Sequence, residues 1–264
     1  MLESVLLYLG IGSIAGLLAG LFGVGGGLLI VPVLAFTFRL QSVDPAVIMH
    51  MALGTSLATI VVTATSSVRA HHVRGGVLWN AVAQMVPGIV AGALLGALLA
   101  NRIPGQALQR AFGAFELLVA MQMLAGWRPA PHRQLPGWTG MLTAGGAIGT
   151  VSALAGIGGG SLTVPFLTWC NVPMRKAVGS SAACGLPIAL SGALGYIVVG
   201  WGHPGLPPDA LGYVFWPGFA GVGAATLLLA PVGARLAHRW PDRITRRLFA
   251  LLLLGLGVHM LLSY

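Results

Sequence analysis

The sequence predicts an all-α polytopic membrane protein made of two homologous halves, and three observations support this prediction. Of the 264 residues, 56% are hydrophobic and 7% are charged, and the mean hydropathy is +0.89. Soluble domains carry about 25% charged residues, so this chain has too few charges to keep a globular surface in water. Eight apolar stretches are long enough to cross a bilayer. A glycine-rich segment occurs twice, once in each half of the chain.

The composition also excludes several other classes of protein. The apolar content excludes a disordered chain, and the 40 Gly show no period of three that would indicate collagen. The net charge of +9 does not indicate a nucleic-acid partner, because the basic residues lie in short bridges between apolar stretches, where they orient membrane proteins. The densest basic group is expected to face anionic lipid: Arg235, Arg239, Arg243, Arg246 and Arg247. Cys170 and Cys184 have no CxxC spacing, so we expect no disulfide, no metal site and no cofactor.

Each predicted span is an apolar stretch near the length of about 20 residues that crosses the hydrocarbon core. The eight spans are Ser4–Leu21, Pro45–Ser67, Val77–Ala100, Gln106–Ala125, Trp138–Ala155, Ala177–Val199, Leu211–Ala230 and Ile244–Leu262. Asp44 is the expected N-cap of the second span, with Pro45 at its first position. Two further apolar segments, Leu28–Phe38 and Leu162–Trp169, cover only about half a bilayer at ~1.5 Å per residue. Both follow a glycine cluster, so we expect two half-helices that do not cross alone.

An internal repeat relates the two halves of the chain. Gly16–Leu34 (GLLAGLFGVGGGLLIVPVL) and Gly149–Leu167 (GTVSALAGIGGGSLTVPFL) are identical at ten of nineteen positions with an offset of 133. Further along the chain, Gly54-Thr55-Ser56 corresponds to Gly179-Ser180-Ser181. Each half therefore carries four spans and one half-helix that begins at a glycine break. In secondary transporters, such halves meet at a substrate site near the middle of the membrane.

The repeat predicts residues 1–125 as the first membrane repeat, 126–137 as a linker and 138–264 as the second repeat. The bridge RAHHVRGG (69–76) corresponds to GWGHPGLPPD (200–209), which has no Lys or Arg. Parallel halves would give corresponding bridges similar charge, so this difference favours an inverted repeat. Counting Lys and Arg over alternate bridges gives 11 against 3 for the inverted arrangement and 10 against 4 for eight plain spans. Both counts predict that both termini lie outside the cell membrane.

The paired segments GLFGVGGGLLIVP (20–32) and ALAGIGGGSLTVP (153–165), each followed by a Gly-Thr/Ser-Ser element, resemble the sulfite exporter TauE/SafE family, also called the 4-toluene sulfonate uptake permease family. The resemblance extends over essentially the whole chain. It implies a permease of the bacterial inner membrane that moves sulfur-containing anions such as sulfite, sulfoacetate or related organosulfonates, without fixing which. Leu28 stands where the second half has Ser161, so we do not expect the two glycine sites to be equivalent.

The two glycine clusters predict the substrate site. A helix break at membrane depth is tolerated only where protein or a watery cavity supplies partners, and successive backbone N–H groups at glycines can form an anion-binding concavity. The half-helix that follows adds the positive end of its dipole, so an oxyanion can be held without a buried Arg. The expected contacts are Gly23, Gly25, Gly26, Gly27, Gly156, Gly158, Gly159, Gly160, Ser161 and Thr163. The alternative is that the glycines only allow close helix crossing.

Further candidates are hydroxyl and ionisable side chains inside spans. Four hydroxyls lie early in long apolar helices and either donate to an oxyanion or bond back to a carbonyl of the preceding turn: Thr55, Ser56, Ser180 and Ser181. His50 and Glu116 are candidates for proton coupling. The alternatives are a packing role for His50 and an ion pair or polar helix contact for Glu116, since an unpaired glutamate in a span is expected to be protonated or paired.

The sequence favours a secondary transporter for a small sulfur-containing anion, with protons as the candidate coupling ion and a homo-oligomer left open. A passive anion channel would use the same pore chemistry and is the main alternative. An intramembrane enzyme is less favoured, since no HExxH motif, nucleophile triad or paired aspartates occur, and no acidic residue follows the glycine run as a dinucleotide fingerprint requires. No ATP-binding loop is present.

Overall fold

A computed structural model describes residues 2–22, 26–126, 134–237 and 242–263. The described residues form ten helices: α1 Leu2–Phe22, α2 Gly27–Leu40, α3 Pro45–Val73, α4 Trp79–Arg102, α5 Gly105–Ala125, α6 Trp138–Leu154, α7 Gly160–Trp169, α8 Met174–Val199, α9 Trp216–Ala237 and α10 Asp242–Leu262. A short antiparallel hairpin, β1 Ala210–Leu211 and β2 Val214–Phe215, pairs Ala210 with Phe215. This confirms the prediction of an all-α polytopic membrane protein.

The helices differ from the predicted spans in extent. The seventh span does not begin at Leu211, because Gly212 takes φ +54° in the hairpin and α9 starts only at Trp216. By length and hydropathy, five helices in the described part of the chain qualify as spans, namely α3, α4, α8, α9 and α10, and each overlaps a predicted span. Of the helices at the other three predicted spans, α6 has 17 residues, α1 is apolar over Leu7–Leu18, and polar side chains lower the mean hydropathy of α5.

The ten helices form two series with the same order, α1 to α5 and α6 to α10, and the second helix of each series is the shortest. These are α2, with 14 residues, and α7, with 10 residues. The chain reverses its direction between α1 and α2. Two contacts show this: the Tyr8 hydroxyl donates to Gln41 Oε1 at 2.7 Å, and the Tyr8 and Phe38 rings lie 6.2 Å apart. The start of α1 is therefore beside the end of α2.

Helices of one series pack closely on helices of the other through glycine. A Cβ at Gly12 would lie 2.7 Å from Val222 Cα, and a Cβ at Gly16 would lie 2.7 Å from Thr226 Cα, so α1 runs parallel to α9. The equivalent pair is α4 and α6, where a Cβ at Gly96 would lie 2.6 Å from the Thr150 carbonyl oxygen. Only glycine permits such close backbone approach. The first helix of each series therefore packs on the fourth helix of the other series, an arrangement that we call the exchange of first helices.

The third and fifth helices pack on their own counterparts in antiparallel orientation. A Cβ at Gly54 would lie 3.0 Å from Tyr196 Cβ, and one at Gly192 would lie 2.9 Å from Leu57, so α3 and α8 run in opposite directions. In α5 and α10, Gln109 Nε2 donates to the Met260 carbonyl at 2.7 Å, and Gly126 lies beside Arg246. Antiparallel packing of corresponding helices is the relation that an inverted repeat requires.

Candidate functional site

The two glycine breaks touch each other. A Cβ at Gly27, the first residue of α2, would lie 2.7 Å from the Gly156 carbonyl oxygen and 2.8 Å from Ile157 Cα. Gly26 caps α2 with φ +76°, and Gly156 has φ +60°, a conformation that strongly favours glycine. The predicted contacts Gly23 and Gly25 lie outside the described residues.

The second break lies between α3 and α8, well inside both helices. Ser56 Oγ of α3 donates to the Gly156 carbonyl at 2.8 Å, and a Cβ at Gly158 would lie 3.3 Å from Ile60. On the other side, a Cβ at Gly159 would lie 3.2 Å from the Ser181 carbonyl oxygen of α8. The proton of Ser56 is therefore used by the break itself, which is neither of the two alternatives the sequence left open, donation to an oxyanion or to a carbonyl of its own preceding turn.

Backbone amides at the start of α7 remain open. The N–H groups of Leu162 and Thr163 both donate to the Gly159 carbonyl, at 3.3 and 2.7 Å. Within the described ranges, the N–H groups of the four preceding residues, 158–161, have no hydrogen-bond acceptor. Gly185 of α8 leaves room beside them, since a Cβ there would lie 3.5 Å from Gly159 N. A helix start with free amides is a ready anion site.

Three hydroxyls around this break are buried and have no hydrogen-bond partner in the described part of the chain. Ser152 and Thr163 are 0% exposed and Ser181 is 2% exposed. Thr163 Oγ1 lies 2.9 Å from where a Cβ on Gly159 would be, so it faces the break. Sequence reasoning missed Ser152; its only signal was a hydroxyl four residues before Gly156, in the last turn of α6.

The two breaks differ in exposure. Gly26, Gly27 and Leu28 are buried, and α2 is buried along most of its length. In α7 only Thr163 and Leu167 are fully buried, and Ser161 is half-buried. Among the described residues of the two breaks, those of the second are therefore the more exposed.

Thr55 and Ser180 cap helix starts in the opposite series. Thr55 Oγ1 accepts from the backbone N–H of Phe215, which directly precedes α9, at 2.9 Å. Ser180 Oγ accepts from the N–H of Leu78, the N-cap of α4, at 2.9 Å. Within the described residues, neither hydroxyl bonds to a carbonyl of its own helix, which was the alternative to an anion contact. Both satisfy orphan donors of helix N-termini.

We expect Thr55→Val and Ser180→Ala to destabilise the protein, because each leaves a backbone N–H without its acceptor. The expected loss is about 1–2 kcal/mol each, or about 2–8 °C in the midpoint of thermal denaturation. Thermal denaturation of the purified protein in detergent measures it. Thr65→Val is the matched control, since the exposed Thr65 hydroxyl donates only to Val61 O of its own helix. An unchanged midpoint in both cap variants would show that the two bonds do not hold the helix starts.

The two ionisable candidates lie apart from the hydrogen bonds of the break. His50 is 5% exposed, its Nε2 lies 3.0 Å from the Ala100 carbonyl, and its ring stacks on Tyr213 at 5.0 Å. A carbonyl only accepts, so Nε2 carries a proton, and Nδ1 has no hydrogen-bond partner among the described residues. Glu116 is 0% exposed, and within the described residues neither carboxyl oxygen has a partner. In the same part of the chain, no three His, Cys, Asp or Glu side chains form a metal site.

Cationic side chains lie at helix ends. Every Lys or Arg whose side chain is described lies in the first or last six residues of its helix or just beyond: Arg39, Arg69, Arg74, Arg102, Arg110, Arg175, Lys176, Arg246 and Arg247. Arg39, in the last turn of α2, donates to Gln109 Oε1 at 2.5 Å. The described surroundings of the second break therefore offer amides and hydroxyls and no full positive charge.

Comparison with known proteins gives consistent results. The family described as sulfite exporter TauE/SafE matches residues 8–260. A protein of Haemophilus influenzae named probable membrane transporter protein is 36% identical over 265 residues, which is 100% of both chains. Proteins with corresponding names in Xylella fastidiosa and Methanocaldococcus jannaschii are 29% and 25% identical, over 98% and 96% of this chain and 96% and 93% of theirs. No solved structure matches the chain.

Proposed function

Since this chain belongs to the sulfite exporter TauE/SafE family, we propose that this multi-pass membrane transporter carries sulfur-containing anions such as sulfite or organosulfonates. The observation that carries the proposal is the contact between the two glycine breaks beside the free amides that open α7. Amide dipoles and hydroxyls can hold an anion inside the bilayer, where a permanent cation would be costly. The anion then rests near the middle of the membrane between the two series of helices.

The proposed anion contacts differ in how far they are supported. The amides of residues 158–161 and the hydroxyls of Thr163 and Ser181 are free to donate. Gly26, Gly27 and Gly156 shape the meeting point of the breaks, and Ser56 fixes Gly156 by its hydrogen bond. Thr55 and Ser180 support the site indirectly, through the starts of α9 and α4.

An inverted repeat with the predicted boundaries, 1–125 and 138–264, is part of the proposal. Its support is the antiparallel packing of α3 on α8 and of α5 on α10. Inversion with five helices in each series lets the two breaks face one cavity from opposite sides, as in other transporters with inverted repeats.

We place both termini outside the cell membrane. Six described cationic side chains lie at the end where Arg175 donates to the Arg74 carbonyl at 3.1 Å: Arg69, Arg74, Arg175, Lys176, Arg246 and Arg247. Three lie at the opposite end: Arg39, Arg102 and Arg110. The positive-inside rule then puts the first group in the cytoplasm. An impermeant thiol reagent should label Gln106→Cys and not Val73→Cys in whole cells, against a background of buried Cys170 and Cys184. The reverse pattern would overturn the orientation.

Transport is tested with the purified chain in liposomes. We expect uptake of labelled sulfite or methanesulfonate that responds to an imposed pH gradient, with Glu116→Gln reducing that response while exchange without a gradient persists. The reason is that Glu116 is buried without a partner and can exchange a proton only through a path inside the protein. Absence of flux for every sulfur anion would refute the transporter, and an unchanged gradient response in the variant would remove Glu116 from coupling.

The same liposomes separate the transporter from a passive channel. A channel would give electrical conductance far above the turnover of a transporter. We propose no enzymatic activity, since the relatives carry transporter names.

A further inference from the structure

We propose that the site at the second glycine break takes an anion with a single negative charge, and that, among the described residues, its side-chain donors come from the second half of the chain. The donors are the amides of residues 158–161 and the hydroxyls of Ser152, Thr163 and Ser181. This inference rests on the proposed function, because it specifies the charge state of the anion that the same site binds.

The first step concerns the buried hydroxyls of Ser152, Thr163 and Ser181. A buried polar group without a partner is costly, so three of them around one break require an explanation. Ser152 lies in the last turn of α6, Thr163 lies in the first turn of α7 and Ser181 lies on α8, so three helices beside the break each carry one such hydroxyl. A bound oxyanion accepts from all three at once. The free amides of residues 158–161 provide the backbone part of the same donor set.

The second step is that the described residues of the first half offer no equivalent side-chain donors. The offset of 133 places Ala19, Leu28 and Ile30 where the second half has Ser152, Ser161 and Thr163. Leu28 and Ile30 are each 1% exposed. Ser56, the counterpart of Ser181, already donates to the Gly156 carbonyl. The described residues of the first half therefore contribute apolar side chains, the backbone of Gly27 and the Ser56 hydroxyl that holds Gly156.

The third step concerns charge. The start of one helix supplies about half a positive charge, so α2 and α7, which begin at the two touching breaks, together supply about one. Every described cationic side chain lies near a helix end. The cost of moving an ion out of water rises with the square of its charge, so a dianion costs about four times as much as a monoanion of equal size. Dipoles and hydroxyls can compensate the smaller cost, while a dianion would require a full cation.

The described residues whose atoms lie nearest the break carry no acidic or basic side chain. They are Gly27 and Val31 from α2, Leu53, Ser56 and Ile60 from α3, and Ser181, Gly185 and Ile188 from α8. The one titratable neighbour in this described part of α8 is Cys184, a buried thiol next to Gly185, which is uncharged near neutral pH. A pH dependence of binding at this site must then come from the ligand. Hydrogensulfite loses its proton near neutral pH and becomes a dianion, whereas methanesulfonate stays a monoanion.

The test measures binding of methanesulfonate, sulfate and sulfite to the purified full chain in detergent, by calorimetry, from slightly acidic to slightly alkaline pH. We expect methanesulfonate to bind with a constant Kd and sulfate to bind at least tenfold more weakly. The affinity for sulfite should fall as the pH rises, because the hydrogensulfite fraction falls. Sulfate binding as tightly as methanesulfonate, or sulfite binding that tightens with pH, would overturn the proposal. Such a result together with flux in liposomes would leave the transporter standing, whereas absent flux would refute the transporter itself.

Variants test the donor set. Ser152→Ala, Thr163→Val and Ser181→Ala should each weaken methanesulfonate binding by roughly five- to tenfold. The ligand-free variants should be as stable as the wild type or more stable, since each loses an unpartnered hydroxyl, which separates lost binding from misfolding. Thr168→Val and Thr37→Val are controls, because those hydroxyls donate within their own half-helices, to Val164 O and Val33 O. Wild-type affinity in all three variants, or equal losses in the controls, would overturn the assignment.

Discussion

Gly159→Val is expected to abolish anion flux, by more than a hundredfold, while the protein still inserts and remains folded. A Cβ at Gly159 would lie 2.9 Å from Thr163 Oγ1, 3.2 Å from the Ser181 carbonyl oxygen and 3.3 Å from Ile188 Cδ1. The two methyl groups of valine would then fill the space in front of the free amides and push Thr163 away. Flux in liposomes measures the loss, and gel filtration in detergent checks that the protein is intact.

The matched control for this variant is Gly255→Val in α10, where no heavy atom lies within 4 Å of an added Cβ. It introduces the same side chain in a helix away from the break and should keep wild-type flux. Gly26→Val should also block transport, because φ +76° at Gly26 is strained for a β-branched residue. Wild-type flux in Gly159→Val would refute the placement of the anion at this break.

The glycine clusters could be predicted from the sequence because their signal is local. Each cluster is followed by an apolar segment too short to span the bilayer, and α2 and α7 begin within two residues of the predicted half-helices. The contact between Gly27 and Gly156 could also be predicted from the repeat, since each half of the chain supplies one glycine cluster.

The roles of the hydroxyls could not be predicted, because their partners are remote in the chain. Thr55 and Phe215 are 160 residues apart, and Ser180 and Leu78 are 102 residues apart. The Gly-Thr/Ser-Ser element predicted a function for these positions without distinguishing a ligand donor from a helix cap. A donor role for Ser152 could not be predicted either, since a lone serine in an apolar helix more often bonds to its own backbone.

The start of α9 differs from the predicted start of the seventh span, because hydropathy cannot distinguish a buried hairpin from a helical turn. Residues 211–215 are as apolar as a span, yet Gly212 turns the chain and Tyr213 packs its ring on His50. The Tyr213 N–H donates to the Tyr196 carbonyl at 3.1 Å, so this segment ties the end of α8 to the start of α3. Its first-half counterpart, the short connection around Gly76, packs against Gly179 at the start of α8. The predicted span thus contained a connection that joins the two series.

The second large expected effect is a loss of stability in Gly92→Val. Gly92 lies where α4 packs on α6, the first helix of the other series. A Cβ at Gly92 would overlap the Gly146 carbonyl oxygen of α6, and backbone cannot move aside as a flexible side chain can. Overpacking of this kind costs about 1–3 kcal/mol, so the midpoint of thermal denaturation should fall by about 2–12 °C. Thermal denaturation in detergent measures the fall.

The control for Gly92→Val is Gly223→Val in α9, the helix that takes the place of α4 in the other series. No heavy atom lies within 4 Å of a Cβ at Gly223, so the same substitution should leave the midpoint unchanged. Because α4 and α6 belong to different series, loosening their contact should also separate the two halves and weaken anion binding at the shared break. If Gly92→Val kept the wild-type midpoint, α4 and α6 would not lie in backbone contact. The packing of α6 on a helix of the other series would then be refuted.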